Sequence, residues 1–307
     1  MSKISTAIRL IKENRGELKA SIVKLFSPLF PDRRYLSLMF RYRMGYNINW
    51  ERPKTFSEKL QWLKIYDRNP IYTKLVDKYE VKDYVSRLIG DKHVAKTLGI
   101  WNTPDEIDFS ILPQQFVLKT THGGGNSGVI ICKDKDRLNL KATRHTLSES
   151  MQQDLYRDSR EWPYKNVKRR IIAEEFLEDK MTGELRDYKL FCFNGKVRAL
   201  FVATERQTRK EPFFDFFDRD YRNLNIKQGH PNAEVPPQRP DLFEQMVTIA
   251  EQLSKNIPHV RVDLYQVNGQ IYFGEYTFYH FGGMVRFDPE KWDTIFGDWL
   301  TLPEKQI

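Results

Sequence analysis

Two Asn-Gly dipeptides constrain this chain more than any other feature. Asn194-Gly195 divides the run DYKLFCFNGKVRALFVATER, and Asn268-Gly269 divides HVRVDLYQVNGQIYFGEYTF, so each stands between β-forming segments. Asn-Gly supplies the positive φ at two successive positions that a type I′ turn needs, and such a turn matches the twist of the strands it joins. Antiparallel sheet is therefore expected here. The shorter runs QQFVLKTT, SGVIICK and RRIIAEEFL read as further strands, with helices at about 138–157 and 240–256 between them, so the chain from residue 114 onward is mixed α and β. Upstream, residues 51–90 read as helical: Thr55 and Glu58 have capping-box spacing, and Leu75, Val76, Tyr79, Val81, Tyr84, Val85 and Leu88 recur at helical intervals before Gly90. A short loop carrying Trp101, Pro104 and Pro113 is expected to follow.

A chain of 307 residues, 40% hydrophobic and 30% charged with 16 Gly and 15 Pro, is long enough for about two domains and excludes disordered and collagen-like classes. Cys132 and Cys192 lie in apolar runs away from any staple or metal spacing, which suggests a reducing compartment. Neither a bilayer-spanning stretch nor a secretory signal is recognisable, and a cytoplasmic location is expected. The net charge of +9 asks for an anionic partner. Eight basic against three acidic residues in the first 35 account for +5 of it, and Ile4, Ile8, Ile11, Leu18, Ile22, Leu25 and Leu29 recur there at steps of three, four and seven. That pattern is a basic amphipathic helix ended by Pro28 and Pro31; it suits an anionic membrane surface or packing on the protein itself with a solvated basic side.

Four constellations carry chemistry. In FVLKTTHGGGNSGVII a strand delivers Lys119 to a loop holding His122, Gly123, Gly124, Gly125 and Gly128, where backbone N–H groups can approach a phosphate; the spacing fits neither a Walker nor a dinucleotide motif. In RRIIAEEFLED a strand ends on Glu174, Glu175 and Leu177, which either stand in solvent or border a nucleotide base. In VRVDLYQVNGQIYFGEYTF, Asp263 and Glu275 fall on two strands of one hairpin, with Arg261 on the face of Asp263; paired carboxylates share a cation such as Mg²⁺ or form ordinary surface ion pairs. In DYKLFCFNGKVRALFVATER, Asp187, Lys189 and Arg206 are polar at strand positions otherwise apolar, as a structural ion pair or as an anion site. There is no His/Cys metal cluster and no nucleophile elbow.

In this order, the phrases PKTFSEKLQWLK, KLVDKYEVKDYV, FVLKTTHGGGNSG, DYKLFCFNGK, RVDLY and FGEYTFYHFGG make the chain similar to the TupA-like ATP-grasp family of bacterial surface-polysaccharide biosynthesis, over about residues 50–300. The resemblance implies an α+β ATP-grasp fold, two subdomains clasping ATP behind a helical N-terminal region. Its expected divisions are a basic helical region at 1–50, a helical lead-in at 51–113, a small subdomain with the Gly-rich loop at 114–178 and a large subdomain with the metal hairpin at 179–307. It further implies that Lys119, the Gly-rich loop and Lys78 hold the phosphates, that Glu174, Glu175 and Leu177 form the adenine hinge, and that Asp187 lies near the ribose. Asp263 and Glu275 would hold Mg²⁺, with Thr277 where many ATP-grasp enzymes have Asn; Arg261, Lys189 and Arg206 would act on the transferring phosphoryl group or the acceptor.

The activity so implied is an ADP-forming, Mg²⁺-dependent carboxylate–amine ligase, joining an amino acid or other amine to an acidic sugar, free or lipid-linked, of a capsule, O-antigen or teichuronic-type polymer. A glycosyltransferase of the same pathway is the alternative, and it would need a nucleotide-sugar site with an Asp-x-Asp-type metal motif. A degenerate binding protein would not need Lys119, Asp263 and Glu275. Nucleic acid is not an expected partner, because the basic residues fall in no recognisable binding module.

Overall fold

The computed structural model describes residues 15–125, 128–180, 183, 185–205 and 211–305. The expected basic helix is described only from residue 15, and its first part, with Ile4, Ile8 and Ile11, lies outside the described residues. Helix α1 spans 15–25 and gives way to a 3₁₀ turn at Ser27–Leu29, where Pro28 removes a backbone donor. Helix α2 (Asp32–Met44) starts after Pro31 and stops at Gly45 in the left-handed conformation. Tyr35, Leu36, Met39 and Phe40 of α2 pack with Ala20 of α1 and with Met284 in a small core of their own.

Helix α3 (Phe56–Tyr66) carries the expected reciprocal cap, in which Thr55 accepts from the Glu58 N–H and Glu58 accepts from the Thr55 N–H. Helices α4 (Ile71–Val76) and α5 (Glu80–Ile89) follow. The stretch containing Trp101, expected to be loop, is instead strand β1 (Thr97–Trp101), an edge strand paired antiparallel with β4 (Ile171–Glu175). Its pairing partner lies some seventy residues downstream, so no local pattern marks it. With β2 (Phe116–Thr120) and β3 (Ile130–Cys132) these strands form an antiparallel sheet ordered β1-β4-β2-β3. Helix α6 (Leu140–Met151) covers it through Leu147, and α7 (Leu155–Ser159) follows.

The second sheet contains both Asn-Gly hairpins. Strands β5 (Asp187–Phe193), β6 (Lys196–Thr204) and β7 (Phe213–Asp218), then β8 (His259–Val267) and β9 (Gln270–Thr277), lie in the order β7-β6-β5-β8-β9, every neighbour antiparallel. The turn residues Asn194, Gly195, Asn268 and Gly269 all have positive φ, as a type I′ turn requires. Strand β7 was not anticipated: FFDFFD places aromatic residues on both faces and so lacks the alternation of a half-buried strand. Helices α8 (Phe243–Leu253) and α9 (Lys291–Trp299) pack into the largest hydrophobic core, which is centred on this sheet.

His259 is buried in that core between Phe56 and Phe193, its Nδ1–H donating to the Cys192 carbonyl at 2.9 Å. Burial lowers its pKa to about 3, so the folded state holds it neutral. As pH falls below about 6.5 the unfolded chain takes the proton first, so this contribution is complete above that pH and is lost towards pH 3, at roughly 1.4 kcal/mol per pH unit. Urea unfolding of His259→Phe between pH 6.5 and 5 is expected to show a flatter dependence than the parent chain; an unchanged slope would refute the neutral buried imidazole.

Candidate functional site

The site is built on one register row of the larger sheet. Lys189 on β5 pairs across to Asp263 on β8, and Asp263 pairs across to Glu275 on β9. Strand β9 carries one extra residue here, Gly274, where a side chain would stand 2.9 Å from the Tyr265 ring and 3.1 Å from the Asp263 carbonyl. A glycine thus permits the bulge that brings Glu275 opposite Asp263. Asp187 and Arg261 lie two positions from Lys189 and Asp263, on the same face by the pleat.

Asp263 is fully buried, and two cations meet its charge. Arg261 donates from Nε to Oδ1 and from a terminal nitrogen to Oδ2, both at 2.7 Å, while Lys189 bridges Asp263 and Asp187, the latter at 2.6 Å. The rest of the Arg261 guanidinium is also engaged: it donates to Thr277 Oγ1 at 2.9 Å and to His280 Nδ1 at 2.6 Å, and Glu275 lies 3.8 Å away. His280 donates from Nε2 to Gln228 Oε1, whose amide nitrogen donates to the Val285 carbonyl. That chain leaves Nδ1 as the acceptor for Arg261. Burial, then the Arg261 and Lys189 cations, pushes the His280 pKa well below its usual value, consistent with a neutral ring. Tyr164 is half-buried in the field of Glu161, Glu275, Arg261 and Asp263, its hydroxyl held well above the ordinary tyrosine pKa by desolvation first.

Three lysines gather beside the smaller sheet, and one of them reaches this row. Lys78 donates to the Gly123 carbonyl in the Gly-rich loop at 2.5 Å and lies 3.5 Å from Glu275, so it touches both the loop and the hairpin. Lys119 on β2 pairs with Glu174 at 2.5 Å, and Lys82 on α5 reaches the other Glu174 oxygen at 2.8 Å. Burial alone would raise the Glu174 pKa, but the two lysines outweigh it and hold it below the usual range. His122 is buried beside the loop, and burial, then Arg169 and Lys78, brings its pKa down to about 4. Gly128 has positive φ, and a side chain there would collide with Ser150 Oγ at 2.1 Å.

The residues named from sequence therefore fall in three places. Lys189, Asp187, Arg261, Asp263, Glu275 and Thr277 come together on the larger sheet; Lys78, Lys119, His122 and the Gly123–Gly128 loop gather at the smaller one. Glu174 faces Lys119 and Lys82, whereas the Glu175 carboxylate accepts from the Lys96 N–H at 2.7 Å, and Leu177 is half-buried beyond the end of β4. Arg206 lies outside the described residues. Sequence reasoning missed Lys82, whose signal is its place four residues after Lys78 in DKYEVK, and Gln228, for which no local signal exists.

Asp263, Glu275 and Thr277 offer only oxygen donors, and two of them are carboxylates in register, which suits a hard divalent cation such as Mg²⁺. Arg261 and Lys189 meet the same charge here, so a cation would share Asp263 with them.

A family model for TupA-like ATP-grasp proteins matches residues 58–301, most of the chain. The chain belongs to the TupA-like ATP-grasp family. Its fold is accordingly ATP-grasp, with the two sheets as its α+β halves and a helical region ahead of them. Solved structures that it resembles include the D-alanine–D-alanine ligase from Helicobacter pylori, at 16% identity over 80% of this chain and 69% of that one with a TM-score of 0.41. The D-alanine–D-alanine ligase from Bacillus anthracis complexed with ATP matches at 13% identity over 67% of this chain and 55% of that one, TM-score 0.40. The ATP-grasp ligase PsnB complexed with minimal precursor, Mg and ADP matches at 13% identity over 80% and 62%, TM-score 0.37. The chain thus spans little more than half the length of the Bacillus anthracis ligase. No curated protein matches it.

The Lys78 bond to Gly123 is charge-assisted, worth about 1.5–3 kcal/mol. Lys78→Met is expected to speed hydrogen exchange of segment 121–128 by tenfold or more while the β8–β9 hairpin keeps its protection. Unchanged exchange in the loop would refute the clasp.

Proposed function

We propose that this protein is an ATP-dependent carboxylate–amine ligase working through an acyl phosphate. The observation that carries the reading is the Lys189–Asp263–Glu275 row with Arg261, approached by Lys78, which also holds the Gly-rich loop. Such an arrangement gathers cations and oxygen ligands where charge would develop on a transferring phosphoryl group.

In this reading the Gly123–Gly128 loop, Lys78, Lys119 and Lys82 hold the phosphates of ATP, and His122, being neutral, adds no proton to the exchange. Glu174 sets the two lysines' positions instead of contacting the base directly, while Glu175 and Leu177 border the adenine and Asp187 lies towards the ribose. A carboxylate oxygen of the acceptor attacks the γ-phosphorus, the bond to the bridging oxygen breaks and ADP leaves. Arg261, kept in orientation by Asp263, Thr277 and His280, faces the transferring group. The amine nitrogen then attacks the acyl carbon, phosphate departs, the nitrogen loses a proton and an amide remains. Asp263, Glu275 and Thr277 would hold Mg²⁺, which when bound supplies Lewis-acid neutralisation of the phosphate charge. Lys189 and Arg206 are proposed to grip the acceptor or phosphate. Closure of the Gly-rich loop keeps water from the acyl phosphate.

We take the acid to be a uronic-type sugar of a bacterial capsule, O-antigen or teichuronic-type polymer, free or lipid-linked, and the amine to be an amino acid or similar. The basic surplus of the chain supports an acidic acceptor. Reliance on ATP assigns the work to the cytoplasmic side of the membrane. Among the described residues no helix is long and apolar enough to cross one.

Purified protein given Mg²⁺–ATP, a uronic-type acceptor and an amine is expected to release ADP and phosphate in equal amounts, only with both co-substrates present. Glu275→Gln should lower turnover by at least about a hundredfold while unfolding midpoints stay close to the parent's. Turnover of a sugar nucleotide without ATP would instead support the glycosyltransferase reading, and a fully active Glu275→Gln enzyme would sink the metal assignment.

A further inference from the structure

Helix α1 shows its apolar residues to solvent. Gly16, Ala20 and Val23 face the body of the protein: Gly16 lies so close to the Tyr42 carbonyl that a side chain there would stand 2.3 Å from it, and Ala20 is 1% exposed in the α1–α2 core. The opposite side carries Leu18, Ile22, Leu25 and Phe26, and Leu29 continues it in the following turn; these five are 50–76% exposed. Recurrence at three, four and seven residues makes them one stripe. Scattered exposed apolar residues need no explanation, but five on one stripe, on a helix whose other face is packed, do.

The charge around the stripe selects its occupant. Arg15 and Lys19 are both exposed: Arg15, three residues from Leu18 and seven from Ile22, interrupts the stripe itself, and Lys19, three residues from Ile22, lies at its edge. Arg33 and Arg34 follow, exposed, at the start of α2, within the first 35 residues that hold more than half of the chain's net charge. An apolar stripe bordered by cations fits the headgroup region of an anionic bilayer, where the apolar side chains enter the acyl boundary and the basic ones meet lipid phosphates. We infer that α1 and the Ser27–Leu29 turn dock this protein in the plane of an anionic membrane surface.

The helix is fastened to the body near the candidate site. Lys24 pairs with Asp158 at 2.8 Å, and Arg160 donates to the Ser27 carbonyl at 2.6 Å. Between those residues the Ser159 carbonyl accepts from Lys64, which also donates to Gly282, two residues past His280. Docking through α1 would therefore orient the Arg261 end of the site relative to the membrane. The inference stands apart from the ligase reading, because it needs neither ATP nor turnover.

The test is co-sedimentation of the full chain, without nucleotide, with vesicles of phosphatidylcholine alone and with one quarter phosphatidylglycerol. The partition coefficient is expected to rise at least tenfold with the anionic lipid and to fall in 0.5 M salt, since each basic side chain at such a surface contributes roughly fivefold. Ile22→Glu with Leu25→Glu should lose binding to both vesicles, and Arg15→Glu with Lys19→Glu only the anionic preference; all four positions are exposed, so unfolding midpoints should hold. Absent binding, equal binding to both vesicles, or a dimer in solution that Ile22→Glu with Leu25→Glu dissolves would overturn the proposal, the last by assigning the stripe to a second copy of the chain.

Discussion

Asp263 sits without solvent exposure at the middle of a five-stranded sheet, and much of the molecule is arranged around its charge. An isolated carboxylate in such a place would lose its hydration and would more readily take up a proton than stay ionised. Arg261 and Lys189 oppose this by supplying hydrogen bonds as well as charge, although burial still holds the Asp263 pKa above its ordinary value; Arg261 arrives by the period of two along β8 and Lys189 by pairing across from β5. Removing one partner of such a buried group costs about 3–5 kcal/mol, so the row is structural as well as chemical. Asp187, Thr277 and His280 are engaged by the same two cations.

The second dependence runs between the sheets. Three lysines from different elements meet two carboxylates: Lys82 and Lys119 share Glu174, while Lys78 approaches Glu275 and also holds the Gly123 carbonyl. In this state the lysines are neutralised by the protein's own acids. A polyphosphate entering between the sheets would compete for them, and this is the physical basis for expecting nucleotide there. The His280–Gln228–Val285 chain does comparable work for Arg261, since a neutral imidazole that donates from one nitrogen can accept only at the other.

Legibility followed the range of each interaction. The Asn-Gly turns, the Thr55–Glu58 cap and the shared face of Arg261 and Asp263 on β8 are local, and the structure contains them as read. Strand β1 was not legible because its only reason to be extended is a partner some seventy residues away. Strand β7 was missed because burial of both faces erases the alternation by which strands are recognised. At the candidate site, spacing brought Arg261, Asp263 and Glu275 under suspicion together, yet Lys82 was passed over beside Lys78; the two stand four residues apart and reach different partners, Lys78 the Gly123 carbonyl and Lys82 the Glu174 carboxylate. Glu174 and Glu175 are adjacent in sequence and face opposite ways, one to the lysines and one to the Lys96 backbone.

The sequence alone determined the antiparallel hairpins, the order of the lysine, glycine-loop and carboxylate segments, and the amphipathic character of the first helix, because each follows from residue type and short-range period. Only the tertiary structure decided which side of that helix is buried. Small residues at Gly16 and Ala20 allow close approach to α2, so the apolar stripe is left outside, against the usual expectation for an amphipathic helix. It likewise decided that Lys189, Asp263 and Glu275 form one row, because a register across three strands depends on hydrogen-bond pairing and on a single bulge at Gly274, which no local pattern encodes.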